Sequence, residues 1–457
     1  MFQKSFHKLL TSLLICLGAS TTALAKDYIV PPMVNIPAGD FMMGTNGSDK
    51  EASPMHAVSV EAFQLAKYPV TVAEFRKFVE DTGYTMESSC KDKLDRNWLS
   101  SPKDVGTANW DNNRYLESEY QPVTCINFKD TQAYIKWLNK KTGQTYRLAT
   151  EQEFEYALRA NTTSRHFWGD DPNMTQACQY GNFSDHSGEY FPAKEFGASY
   201  VGFLGHAHCD DGEPYVAIVG LYRPNPFGLH DMMGNILQLL GSCFYEGYEP
   251  RTDEEMDISK CEFISHRGGS WHYIPHPNSA RGSYKREGWS AGALVGFRLA
   301  ADGQNIAKHE TTKKFELALQ QAQKKRLLTR PKIPQSPQNV HLNKIGKNKY
   351  KISWQPSDDT RVSSYEIHRS KRPHSHLIGP FYREHYDKID TVSANLNSAE
   401  VTLPEEGGSF RVIAVTEQLT SLPSQPVSAS EIKTLDIPGK LYIQETSHLD
   451  NALLAYS

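Results

Sequence analysis

Hydrophobic and polar positions change rhythm along this 457-residue chain. Leu9 to Ala19 is an apolar stretch, too short to span a bilayer. From Thr71 the period becomes helical. Thr71 and Glu74 make a capping box, Phe75, Phe78 and Val79 form an apolar face, and Gly83 supplies the stop. A second helix is predicted from about Asp130 to Thr142, with Ala133, Tyr134, Trp137 and Leu138 on one face and Gly143 after it. A third opens on the capping pair Thr150 and Glu153 and turns Phe154, Ala157 and Leu158 inward. The rest of residues 27–301 reads as short strands, glycine turns and long loops, and Cys178 to Asn225 has no helical period. Loops of that length in a compact domain are functional or pinned.

Beyond residue 301 the pattern changes twice. Residues 302–335 read as a basic helical linker: Thr311 to Arg330 is polar, Phe315, Leu317, Leu319 and Leu327 are thinly spaced, and Pro331, Pro334 and Pro337 break the chain. Residues 336–435 then alternate with period two, in Lys349–Trp354, Ser364–Arg369 and Phe410–Val415. The tail, 436–457, carries no pattern that places it.

The N-terminus adds a destination. Lys4, His7 and Lys8 precede the apolar stretch, and Ala23-Leu24-Ala25 offers a cleavage site, so residues 1–25 read as a signal peptide and the protein as periplasmic or secreted. Cys16 raises the alternative of a lipid anchor, but Ile15 stands before it where lipidation sites carry a small residue. No other apolar run reaches membrane-spanning length. The net charge of -4 is spread without a basic block, which argues against nucleic acid as the main partner. Beyond residue 25 stand six cysteines: Cys90, Cys125, Cys178, Cys209, Cys243 and Cys261. An even count in an exported chain favours disulfides, and sequence alone leaves the connectivity open. The sequential set, Cys90–Cys125, Cys178–Cys209 and Cys243–Cys261, is favoured because each bridge staples one long irregular segment.

Several blocks, in order, resemble the formylglycine-generating-enzyme (sulfatase-modifying-factor) family. They are Ile36–Gly44, Lys67–Thr71, Pro122–Phe128, Tyr146–Ala157, Asn225–Asn235, Arg267–Trp271 and Gly296–Leu299. Each block is weak and the ordered set is strong. The resemblance implies an α+β, elaborated C-type-lectin-like fold with little regular secondary structure. The residues agree: Gly228, Gly234, Gly268 and Gly269 suit tight turns, Trp271 and Phe297 bring bulk to a helix-poor core, and Arg147 and Arg298 suit buried positions against loop carbonyls. Most motif residues therefore serve the fold. The Trp354 and Tyr365 strands in turn resemble a fibronectin type III module, a second, all-β immunoglobulin-like sandwich, with Phe410 where that family has a tyrosine.

Members that make formylglycine hold copper(I) on two cysteines shortly before the final Gly-Phe-Arg, as soft thiolates select that ion. Here Trp271–Arg286 contains no cysteine, and none follows Cys261, so no copper is predicted. The pocket candidates left are Trp271, His272, His276, Arg281 and Tyr284, and His206 and His208 form a second histidine pair. Histidines suit several metals, yet a His-rich loop is more often a polar surface. The resemblance also implies structural calcium, held by Asn182, Phe183, Asp211 and Glu213, the Phe183 and Glu213 contributions being backbone carbonyls. A weaker second set is Gly234, Asn235, Ile236 and Gln238, with glutamine where the family has glutamate. The rival for all of these is turn closure by Asx hydrogen bonds.

Two function classes remain. The missing thiol pair favours a binding or scaffold protein, taking a peptide, protein or glycan in a lectin-like pocket. The alternative is a periplasmic modifying or oxidising enzyme with a non-thiolate active site.

Overall fold

The computed structural model describes residues 28–86, 90–92, 103–104, 108–196, 207–252, 254–286, 292–302, 309–370, 386–403 and 408–428. The segment read as a signal peptide, the tail 436–457 and His206 lie outside the described residues. Five α-helices stand among them: α1 (Val72–Thr82), α2 (Phe128–Thr142), α3 (Glu151–Arg159), α4 (His186–Phe196) and α5 (Glu310–Thr329). None is long and apolar enough to cross a membrane.

The first three helices follow their local signals. Thr71 and Glu74 close a capping box at α1, and Gly83 ends it in the left-handed conformation. Thr150 and Glu153 do the same for the start of α3. Helix α2 begins earlier than its apolar face suggests, because Asn127 and Asp130 exchange backbone and side-chain hydrogen bonds in a further capping box. Phe75, Phe78, Tyr134 and Trp137 then interlock α1 with α2, and Phe297 meets Tyr134 edge-on at 5.5 Å.

Among the described residues, two four-stranded and two two-stranded sheets complete the first domain. One of the four-stranded sheets runs Met33–Ile36, Phe63–Ala66, Leu299–Asp302, Tyr146–Leu148, antiparallel throughout. The other runs Arg281–Lys285, Phe263–Arg267, Leu237–Cys243, Val295–Phe297, and only its last pair is parallel. The loop between Arg267 and Arg281 carries Trp271, His272 and His276. Register pairs Arg281 with Arg267, so two arginines share one face of the sheet. The disulfides are Cys90–Cys125, Cys178–Cys209 and Cys243–Cys261, the sequential set.

Three segments depart from the sequence reading. Helix α4 forms inside the stretch that shows no helical period, where Gly188 and Pro192 mask it. Asp185 caps it by accepting the Gly188 N–H at 2.8 Å. Helix α5, expected to link, lies docked on the first domain. Phe315 and Leu319 pack against Ala73, Ile218 and Val219, Thr312 Oγ1 donates to the Val30 carbonyl at 2.6 Å, and Gln323 donates to the Val219 carbonyl at 2.7 Å. Arg298 is buried and donates to the carbonyls of Ala66, His230 and Asp231, whereas Arg147 is partly exposed and pairs with Glu153 and Asp302.

Residues 338–428 hold two further sheets. One orders Gln338–Gly346, Lys349–Gln355, Ser398–Thr402, and the other Tyr386–Ser393, Ser364–Ser370, Ser409–Val415, Val427–Ser428. Their inward positions, Ile352, Trp354, Tyr365, Ile367, Phe410 and Val412, make one core. Tyr190 of α4 contacts Ile333 and Leu422, and its hydroxyl accepts the Thr420 N–H at 3.2 Å, which ties this unit to the first domain.

Candidate functional site

Three groups of residues converge around the Arg267–Arg281 loop. The first is a buried charge network. Glu151, at the start of α3, faces both paired arginines. Arg281 donates through Nε and Nη2 to its carboxylate, the latter at 2.7 Å, and Arg267 Nε donates at 3.1 Å. Ser265 Oγ adds a donor at 3.0 Å. Glu155, one turn on, ion-pairs with Arg267 at 2.9 Å and with Arg159, and accepts the Gly44 N–H. Burial alone would raise the Glu151 carboxyl, but the two guanidinium groups and their hydrogen bonds hold it below the usual carboxylate range. Arg281 also donates to the carbonyls of Glu51 and Tyr245, and its guanidinium lies 4.4 Å from the Phe244 ring centre and 4.9 Å from that of Tyr248. Its hydrogen-bonding capacity is consumed within the protein.

The second group is aromatic. Trp271 is buried, its ring 5.3 Å from both Tyr115 and Tyr215, and its Nε1 has no hydrogen-bond partner among the described residues. Exposed Arg114 lies over the same tyrosines. The loop is pinned on both sides: Ser184 donates to the Tyr273 carbonyl at 2.9 Å, and Asn278 to the Arg165 carbonyl at 2.8 Å. His272 meets Trp271 and Tyr273 edge-on. His276 is partly enclosed 5.6 Å from the Tyr273 ring, and burial, with Arg165 adding, pushes its imidazole down to about 4. His166 stacks on Trp168 at 4.6 Å. Tyr284 is buried in the main core. Of the five pocket candidates, Trp271, Arg281 and Tyr284 are therefore built into the fold, and the two loop histidines are only partly buried. His208 is exposed beside Cys209.

The third group is rich in oxygen. Asn182 is fully buried. Its Nδ2 donates to the Tyr215 carbonyl at 2.7 Å, while its Oδ1 has no hydrogen-bond partner among the described residues. Asp211 is buried and accepts from the Glu213 N–H at 2.7 Å and the Tyr222 hydroxyl at 2.8 Å. Burial and the neighbouring Asp185 push its carboxyl well above the usual range. The Phe183 ring sits in the core, and the Glu213 side chain is held by Arg326 of α5 at 2.8 Å. An unpartnered buried amide oxygen and a buried carboxylate are ligand types that suit a hard cation. The second calcium set does not fit. Gln238 Oε1 accepts from Arg298 Nε at 2.9 Å, its Nε2 donates to the Asp231 carbonyl, and Asn235 is spent on Ala217 and Asn182. A guanidinium already occupies the place where a cation needs the missing glutamate. Among the described residues, no three histidine, cysteine or acidic side chains gather to hold a metal by themselves.

Sequence reasoning missed Glu151, Glu155, Arg267, Tyr248, His166 and Asp185. The only signal was the side-by-side placement of Arg267 and Arg281 that antiparallel pairing creates, and strand register is not written in the sequence.

Residues 20–303 match the family described as the sulfatase-modifying factor enzyme 1-like domain. A formylglycine-generating enzyme of Mycobacterium tuberculosis is 28% identical over 246 residues, which cover 47% of this chain and 74% of that protein. The formylglycine-generating enzyme of Bos taurus is 32% identical over 234 residues, 45% of this chain and 56% of the bovine protein. A Mus musculus protein named inactive C-alpha-formylglycine-generating enzyme 2 is 24% identical over 298 residues, 59% of this chain and 86% of the mouse protein.

Proposed function

This chain belongs to the sulfatase-modifying factor enzyme 1-like family, and we propose that it acts as an exported binding or scaffold protein and does not generate formylglycine. One observation carries this reading: all six cysteines beyond residue 25 are joined in disulfides, so none offers the thiolate that copper(I) requires. The charges of the Arg267–Arg281 region are also spent within the fold, leaving an aromatic and imidazole-lined surface better suited to holding a ligand than to transforming one. The mouse relative with "inactive" in its name supports a non-catalytic branch of the family. Three disulfides and the N-terminal signal support a periplasmic or secreted location. A peptide, protein or glycan is the ligand class, and the C-terminal sandwich, read as a fibronectin type III-like module, docks or spaces it.

Calcium is structural in this reading. Asn182 Oδ1 and the Asp211 carboxylate hold it, with the Phe183 and Glu213 carbonyls, and it fixes the loop that the Cys178–Cys209 bridge secures at only one end. The ion supplies charge balance and rigidity.

A second reading, a modifying or oxidising enzyme with an imidazole-held metal, draws on His166 and His276. Burial pushes both imidazoles toward the neutral form that metal ligands need. Metal analysis of the purified mature protein separates the two readings. The expected result is calcium without a stoichiometric redox metal. One equivalent of copper or iron overturns the non-catalytic reading.

A further inference from the structure

We infer that Asp185 is a direct side-chain ligand of the cation held by Asn182 and Asp211, an inference that rests on the calcium reading above. Asp185 is fully buried. Its Oδ2 accepts the Asp211 N–H at 2.7 Å, which brings the two acids together, and its Oδ1 accepts the Gly188 N–H at 2.8 Å. A Cβ placed on Gly188 would lie 3.5 Å from Asp185 Oδ1 and 3.6 Å from the Phe183 carbonyl oxygen. A carboxylate oxygen and a candidate carbonyl ligand thus both lie near the Gly188 Cα. Three residues before Asp185, the buried Asn182 Oδ1 has no hydrogen-bond partner among the described residues, an independent sign that a group is owed to it.

Charge decides the case. Four acids crowd this loop. Glu213 is matched by Arg326, with three N–O contacts of 2.8 to 2.9 Å. Asp210 accepts from Ser187 Oγ and the Gly212 N–H, and Arg330 acts on it electrostatically. That leaves Asp185 and Asp211, both buried, and neither has an ion-pair partner among the described residues. Two buried carboxylates without a counter-charge are costly, and one divalent cation balances both while taking up the orphan amide oxygen. The competing account is a proton shared between the two carboxyls. Asp185 is also the cap of α4, so a cation on it fixes the helix whose Tyr190 meets the C-terminal unit.

The test uses the full mature protein, stripped with chelator and titrated with calcium, followed by calorimetry and by thermal unfolding. Asp185→Asn keeps an oxygen to cap α4 but removes the charge. The expected result is a smaller midpoint gain from saturating calcium than in the wild type; in chelator, relief of the repulsion is set against the loss of one acceptor, because Asp185 Oδ2 also accepts the Asp211 N–H. Calcium affinity should fall by roughly tenfold or more, on the scale at which ligand charge tunes such sites. Asp185→Ser, a second capping residue, should repeat both effects and guards against a folding defect particular to one variant. Wild-type calcium affinity in both variants overturns the inference while leaving the calcium reading intact. No calcium response in the wild type overturns the calcium reading itself, and this inference with it.

Discussion

Glu151→Gln tests whether the Arg267–Arg281 region is a locked structural network. The substitution keeps size and one acceptor oxygen but removes the charge that faces two buried guanidinium groups. Breaking a buried ion pair costs about 3–5 kcal/mol. The lower end applies, because Glu155 continues to pair with Arg267 at 2.9 Å. For a domain of this size each kcal/mol moves the unfolding midpoint by about 2–4 °C, so a fall of roughly 6–12 °C is expected at pH 7. The pH dependence has a definite sign. Although burial opposes it, Arg267 and Arg281 hold the Glu151 carboxyl below its ordinary value. A carboxylate lowered on folding stabilises the protein above its unfolded value of about 4.3, and the contribution is lost as pH falls through the lowered folded value. The gap between wild type and variant should therefore be full at pH 7 and shrink at strongly acid pH. Circular dichroism or differential scanning calorimetry across pH 3–8 measures it. A shift below about 2 °C at pH 7, or a gap that widens toward acid pH, refutes the network's role.

Other expectations follow from single positions. Gly234 has φ +74°, and a Cβ there would fall 2.2 Å from the Asn182 carbonyl oxygen, so Gly234→Ala should cost roughly 3 kcal/mol or more and depress soluble yield. Gly83 has a similar φ of +66° but open space around it, so Gly83→Ala should cost only about 1–2 kcal/mol by chemical denaturation, and equal losses at the two sites contradict the steric argument. Arg326→Ala removes the partner of buried Glu213 and should loosen α5, which trypsin reads as faster cleavage at Lys324 and Lys325. Cleavage at the wild-type rate shows that Phe315 and Leu319 hold the helix alone.

How much of this was legible depended on how local the cause was. Capping boxes at Thr71 and Thr150, the glycine turns and the apolar faces of α1 and α2 rest on contacts a few residues apart, and sequence reading found them. Arg298 was legible because its motif places it among loop carbonyls. Helix α4 was not, since Gly188 and Pro192 erase the period while the cap at Asp185 supplies the start. Docking of α5 was hidden because only Phe315 and Leu319 of its thin apolar face reach the core. The least legible feature was the charge network. Glu151 stands in the first turn of α3, where acids are ordinary, and its partner Arg281 lies 130 residues away. Only strand register and helix placement bring them together. Likewise Asp185 reads as a helix cap, and its closeness to Asp211 depends on a loop closed by the Cys178–Cys209 bridge.

The central claim is that the family scaffold here lacks the chemistry of formylglycine formation. Incubating the copper-treated, full-length protein with a Cys-x-Pro-x-Arg peptide under oxygen, with mass spectrometry of the product, tests it most directly. The account predicts a peptide whose cysteine is never converted to the aldehyde, alongside conversion by an authentic formylglycine-generating enzyme under the same conditions. Conversion catalysed by this protein at a rate above the copper-only control contradicts it.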